Sequence, residues 1–318
     1  MLAELPTKPR FGGAFLRAAL KSAQCSPETK EDPRAGRIAR PLPMQLDTLL
    51  QQTHALPSIP KVVQELIRSF DDDKVSPEQI ARTLATDLVL TGKLLRLANS
   101  AHYHAPRSVS TVDDALLMLG FVTVRTLVIG SGLTGGFKQT PGMDLKCFWR
   151  YSLHSACVAR WLSKPARLNA DQAFTIGLMH AIGQLVMHAA MPEQMQELDA
   201  QVPALDPRRP RHERRSLGYD HAEVGAGLAA HWKFPVAFSQ AIRAVPHPLD
   251  QTPFEPMGAL IHIAAWRARA AEDEMTQAEM VACFPATVAA KLSFDGRAEL
   301  AKMPPLAELT AGLEALLG

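Results

Sequence analysis

Eleven histidines are spread along a chain of 318 residues, and imidazole is the side chain that most readily carries a proton or a metal near neutral pH. Their spacing does not favour ligand pairs on a single helix. His180 and His188 are eight apart and His221 and His231 ten apart, so neither pair has the i,i+4 arrangement that aims two rings at one ion. No His-Asp dipeptide occurs in the chain. The four cysteines, Cys25, Cys147, Cys157 and Cys283, form no CxxC pair, which leaves no basis for a disulfide framework or a zinc knuckle and points to a reducing compartment. Cys147 and Cys157 read as small buried hydrophobes. Nucleophile elbow, Walker loop and HExxH helix are all missing. The glycines of GSGLTGG (130–136) follow a helical pattern and end without a lysine and Ser/Thr pair, so they predict a helix terminus and turn.

A second chemistry is suggested by five arginines, Arg208, Arg209, Arg211, Arg214 and Arg215, crowded into VPALDPRRPRHERR (202–215). Such a cluster could dock a protein partner or contact phosphates. The whole chain argues for restraint, because 34 basic residues face 32 acidic ones for a net charge of +2, unlike a dedicated polyanion binder. The surplus lies in residues 1–45, where eight Lys/Arg face four acids and prolines at 6, 9, 27, 33, 41 and 43 interrupt any long element. That segment reads as a flexible basic leader, and 202–215 as a solvated connection.

The elements that must position these residues are helices. Hydrophobic residues make up 47% of the chain and charged ones 21%, a globular composition with length for about two folded units at roughly 150 residues each. Apolar spacings of three and four recur, without long alternating runs. Ser76-Pro77-Glu78-Gln79 reads as a cap with a first-turn proline. Thr111 with Asp114 opens VDDALLMLG, which Gly120 closes. Asn169 with Gln172 opens AFTIGLMHAIGQLVMHAAM, a helix apolar on most sides that belongs at the centre of a core. Further helices are predicted from Met257 to Ala271 and from Leu306 to Leu317. The longest apolar stretch, Gly258 to Trp266, is far shorter than the roughly 20 residues that span a bilayer, which predicts a soluble, cytoplasmic protein with no transmembrane segment. Asn99 and Ser100, at the end of LLRLANS, read as a helix C-terminal motif whose side chains satisfy carbonyls or brace the next segment, near Tyr103.

As strings, LPSIPKVVQELI (56–67) and ATDLVLTGKLLRLANSAHYHAPRSVSTVDDALLMLGFVTVRTLVIG (85–130) closely resemble the HDOD domain family. The one departure is Leu88, where the family usually has proline. HSACVARWLS (154–163), FTIGLMHAIGQLVM (174–187), ERRSLGYDHAEVGAGLAAHWKFP (213–235) and AIRAVPHPLD (241–250) look like the blocks in which that family is similar to HD-type phosphohydrolases. The resemblance, which spans about residues 45 to 270, implies an all-α fold: after the leader, a smaller N-terminal helical lobe (46–140) packed on an HD-like helical lobe (141–275); beyond it, generic helical patterns predict a C-terminal helical extension (276–318).

An HD-type hydrolase holds one or two divalent ions through a histidine, an adjacent His-Asp pair on the next helix and a later aspartate, because clustered cations and an acidified water need carboxylates. The matching positions here are His154 and His180, but Ala181 follows His180, and Ala264 and Ala265 stand near the later aspartate's place. The resemblance therefore leaves a vestigial cleft of His154, His180, His221 and His247 with Glu213, and implies no catalytic residue, no metal and no cofactor. It implies a non-catalytic bacterial regulator in signal transduction, acting by protein docking or small-ligand sensing, with protein partners that include cyclic-di-GMP-related ones. Two alternatives are a residual metal-dependent phosphohydrolase acting on a nucleotide or cyclic dinucleotide, and a nucleic-acid-binding regulator.

Overall fold

The computed structural model describes residues 44–51, 59–69, 76–99, 108–137 and 139–313. Nearly all of the basic leader, together with Ser100 and Tyr103, lies outside the described residues. Among the described residues every regular element is a helix. In chain order they are α1 (Leu46–Gln51), α2 (Lys61–Arg68), α3 (Pro77–Ala85), α4 (Leu88–Ala98), α5 (Val112–Leu119), α6 (Phe121–Gly136), α7 (Leu145–Ser163), α8 (Ala170–Met179), α9 (Gly183–Ala190), α10 (Pro192–Gln201), α11 (Arg209–Leu217), α12 (His221–His231), α13 (Val236–Ala244), α14 (Pro256–Glu272), α15 (Gln277–Ala282), α16 (Ala286–Lys291), α17 (Gly296–Lys302) and α18 (Leu306–Leu309).

The starts follow local chemistry. Ser76 Oγ accepts from Gln79 N–H at 3.2 Å, Thr111 Oγ1 from Asp114 N–H at 3.0 Å, and Asn169 Oδ1 from the Asp171 and Gln172 amides at 3.0 Å. Each satisfies a first-turn donor that the helix itself leaves open. Leu88 is the first residue of α4 and 84% exposed, a position that suits proline equally well. Gly120 has φ +79° and separates α5 from α6, where a side chain would be strained. Asn99 closes α4 and braces the next segment, donating from Nδ2 to Leu95 O and Val109 O at 2.8 and 2.7 Å while accepting from Val109 N–H at 2.8 Å.

The helix α7 runs through the centre of the larger group, flanked by α8 and α14, while α12 packs on α9 and α13. Helices α2 to α6 pack among themselves, and α6 also reaches α8. Three expectations change. The glycines 130–136 are the C-terminal end of α6, which closes at Gly136, so they make a helix terminus as expected but no turn lies among them. The connection 202–215 becomes helical from Arg209, with Pro210 in the first turn of α11. AFTIGLMHAIGQLVMHAAM forms two helices, α8 and α9, separated at His180–Ile182.

The residue after that break, Gly183, is closely packed. A Cβ added there would overlap the His221 carbonyl oxygen and sit 2.7 Å from Gly225 N, so the start of α9 crosses directly against the start of α12. This contact sets His180 beside His221. The stretch Ala170–Ala190 has the length and apolar composition of a bilayer span, but 89% of its 18-residue apolar window is buried inside the protein.

Candidate functional site

His180 follows the last turn of α8 and is almost wholly buried. Its Nδ1 lies 2.7 Å from Gly177 O and its Nε2 2.9 Å from the Tyr151 hydroxyl. A backbone carbonyl only accepts, so Nδ1 carries the ring proton and Nε2 accepts from Tyr151. The Tyr151 oxygen in turn accepts from Arg269 Nη1 at 3.0 Å. One chain of donors thus runs from α14 through α7 to the end of α8. Burial pushes the His180 pKa down to about 3, against the Gly177 hydrogen bond, with Arg269 and His221 repelling a further charge. The ring is neutral at physiological pH.

His221 begins α12, where Asp220 caps the helix in a reciprocal box with Glu223. Its Nδ1 and its backbone N–H both donate to Glu213 Oε2, at 2.7 and 2.9 Å. Glu213 Oε1 accepts from Arg209 Nε at 2.9 Å, and Arg209 Nη1 donates to Asp199 Oδ1 at 2.7 Å and Val202 O at 2.6 Å. Asp199 Oδ2 accepts from His188 Nε2 at 3.0 Å. Burial disfavours charge throughout this chain, yet attraction outweighs it. Glu213 is held below the usual carboxylate range by His221 and Arg209, and His221 is held above its ordinary value by Glu213. Each member of the pair thus favours the charged form of the other, with His221 on the cleft wall and Glu213 behind it.

The cleft holds about 60 Å³ and is lined by Tyr151, His180, Gln184, His221, His262 and Arg269, with apolar walls that include Ala181 and Ala265. Three of these polar groups, Tyr151, His262 and Arg269, escaped the sequence reading, as did Gln184. The positions 262, 265 and 269 fall on one face of α14 at helical spacing, a periodicity present in LIHIAAWRARA. His262 Nδ1 donates to Val245 O at 2.8 Å, and burial pushes its pKa down to about 4.

Of the five sequence-predicted cleft residues, His180 and His221 line the cavity and Glu213 supports His221 from behind. His154 does not line it. It sits one turn along α7 from Tyr151, 3.6 Å from Glu272 Oε1, beside the Arg150–Glu272 ion pair. His247 does not line it either; the preceding Val245 and Pro246 do. Four of the five arginines are exposed and one is not. Arg209 is fully buried, because Asp199 and Glu213 neutralise it in place. The exposed Arg208 pairs with Asp206 at 2.7 Å and the exposed Arg214 with Asp220 at 2.7 Å, and Arg211 and Arg215 are exposed as well.

These groups do not fit a divalent ion. Both ring nitrogens of His180 are engaged, the neighbouring position is an alanine, and the Arg269 guanidinium already brings positive charge against Tyr151. Among the described residues no group of three or more His, Cys, Asp or Glu gathers as metal ligands.

The family model for the HDOD domain matches residues 56–248, more than half of the chain. A protein of Shewanella amazonensis SB2B, provisionally named a phosphohydrolase, is 30% identical, with a TM-score of 0.70 over 85% of this chain and 98% of that one. An HDOD domain protein of unknown function from Geobacter sulfurreducens, 21% identical, gives 0.66 over 85% of this chain and 95% of that one. A protein of Marinobacter aquaeolei VT8, provisionally named a signal transduction protein, is 22% identical and gives 0.66 over 87% of this chain and 61% of that one. A Treponema pallidum (strain Nichols) protein named only as uncharacterized is 26% identical over 241 residues, which is 71% of this chain and 46% of that protein's length. The chain spans about half the length of this curated relative. By the match over 56–248 and the shared all-helical fold, this chain belongs to the HDOD domain family.

Proposed function

We propose that the protein is a non-catalytic regulatory module whose cleft and surfaces act by binding, through protein docking or recognition of a small ligand. One observation carries this reading: His180 Nε2, the atom that would face a metal, accepts the Tyr151 hydroxyl proton at 2.9 Å, and the next residue is the buried Ala181. A ring whose lone pair is engaged, with no carboxylate beside it, supplies neither a metal ligand nor a general base. The companion proposals are a cytoplasmic setting and protein partners in a signalling pathway, with cyclic-di-GMP-related ones among them. Hydrolysis is the competing reading, suggested by the provisional name of the Shewanella protein. Nucleic-acid binding has less support, because Arg208, Arg209 and Arg214 are already paired with acids of the same chain.

Metal analysis of the purified protein, with phosphodiesterase assays in manganese on mononucleotide esters and cyclic dinucleotides, tests the proposal. It expects less than stoichiometric metal and no turnover above a heat-treated control. Stoichiometric metal that His180→Ala abolishes, together with turnover, would overturn it.

A further inference from the structure

The small-ligand form of the proposed function leaves open what the cleft would take, and four polar groups on its wall narrow the answer. Gln184 is 2% exposed. Its Nε2 donates to Ala204 O at 2.6 Å, while its Oε1 is buried without a partner. The amide cannot be turned around, since the Ala204 carbonyl needs a donor. Gln184, which lines the cleft, therefore carries a buried acceptor with no partner in the protein. His262 adds a second: with its Nδ1 donating to Val245 O, its Nε2 is the unprotonated nitrogen of a neutral ring. On the other side of the balance are two donors, the Arg269 cation and His221, whose charged form its Glu213 partner favours. Arg269 uses Nη1 on Tyr151 and keeps further N–H donors, and His221, with Nδ1 on Glu213, keeps Nε2–H. Asp206 is the one carboxylate on the wall, and Arg208 neutralises it through two side-chain hydrogen bonds at 3.0 and 2.7 Å.

A standing cation, a histidine whose charged form is favoured, neutral acceptors and no unpaired acid select an anion that also carries a proton. An ammonium would find no counter-charge, and a purely apolar guest would strand Gln184 Oε1 at the cost of an unmade buried hydrogen bond. The space of about 60 Å³ corresponds to about four waters at ~15 Å³ each on the same measure, which suits a single small oxyanion and excludes a whole nucleotide. We propose that this cleft is a metal-free binding site for a small oxyanion bearing one hydroxyl, of the hydrogen phosphate or bicarbonate class, held by Arg269 and His221 and checked for its proton by Gln184. The inference rests on the binding role proposed above and specifies its ligand.

The proton is what makes the site testable, because sulfate has the charge and shape of hydrogen phosphate but no O–H at neutral pH. Calorimetric titration of the full chain at pH 7.5, at ionic strength fixed with chloride, would use phosphate, bicarbonate and sulfate separately. Phosphate or bicarbonate should bind saturably at one site, and which of them is tighter identifies the source. Sulfate should be at least about tenfold weaker, the effect of one lost hydrogen bond to a buried acceptor. Gln184→Met should erase the preference over sulfate, and Arg269→Met should weaken binding at least about tenfold, as expected for a lost charge-assisted contact. Circular dichroism and melting curves control for folding, and Arg269→Lys, which keeps the charge on a partly exposed side chain, should retain part of the affinity. Equal binding of sulfate and phosphate, no saturable binding of any of the three, or indifference to Arg269→Met in a folded variant would overturn the inference. Turnover of a phosphomonoester in the same samples would contradict the non-catalytic reading instead, so the two failures are separable.

Discussion

Tyr151 and His180 are joined by a 2.9 Å hydrogen bond between the tyrosine hydroxyl and Nε2 of the ring. The bond occupies the one nitrogen of His180 that is not already turned to the backbone, and it links the cleft to Arg269. Removing the hydroxyl without changing the ring should leave Nε2 buried with no donor. Tyr151→Phe is therefore expected to cost about 1–3 kcal/mol of stability, measured by urea denaturation, with little change in helix content.

The cleft histidines make opposite contributions as pH changes. His262 has a pKa of about 4 in the folded protein against an ordinary value of 6.5. Its neutral state is matched to the fold, so stability is lost as pH falls from 6.5 toward 4, by about 3 kcal/mol. His221 has a raised pKa, so its contribution is complete below 6.5 and is lost as pH rises through the folded value. Denaturation curves at stepped pH should show a shallower acid loss for His262→Gln than for wild type. His221→Gln should lose the decline on the alkaline side.

Arg209 and the exposed arginines of the same helix should behave in opposite ways. Arg209→Met leaves Asp199 and Glu213 facing a buried gap in charge, which is expected to cost about 3–5 kcal/mol. Arg211→Ala and Arg215→Ala should stay within about 0.5 kcal/mol of wild type, as surface changes without buried partners do. Urea midpoints of the three variants measure the contrast.

Much of the helical scaffold could be read from caps, because Ser76, Thr111 and Asn169 act within three residues of themselves and leave a local trace. The break at His180–Ile182 left none. The glycine after it, Gly183, meets His221 and Gly225 on a helix almost forty positions away, and apolar periodicity continues smoothly across it. The site divides in the same way. His180 and His221 stood out through the strings around them, whereas Arg269 and His262 reach the cleft only because α14 turns one face toward α7. Arg209 was misplaced on the surface for the same reason: its burial depends on Asp199, ten residues earlier on another helix, and the local run of arginines gives no sign of it.

The central claim is that His180 is a neutral structural ring with Nε2 committed to Tyr151. Long-range proton–nitrogen NMR of histidine-labelled protein, from pH 5 to 8 and then with one equivalent of zinc, tests it most directly. The account predicts a protonated Nδ1, an unprotonated Nε2 and a signal that neither titrates across this range, given a pKa of about 3, nor moves on adding zinc. A His180 signal that titrates near 6.5, or an Nε2 resonance displaced by stoichiometric zinc, would contradict it.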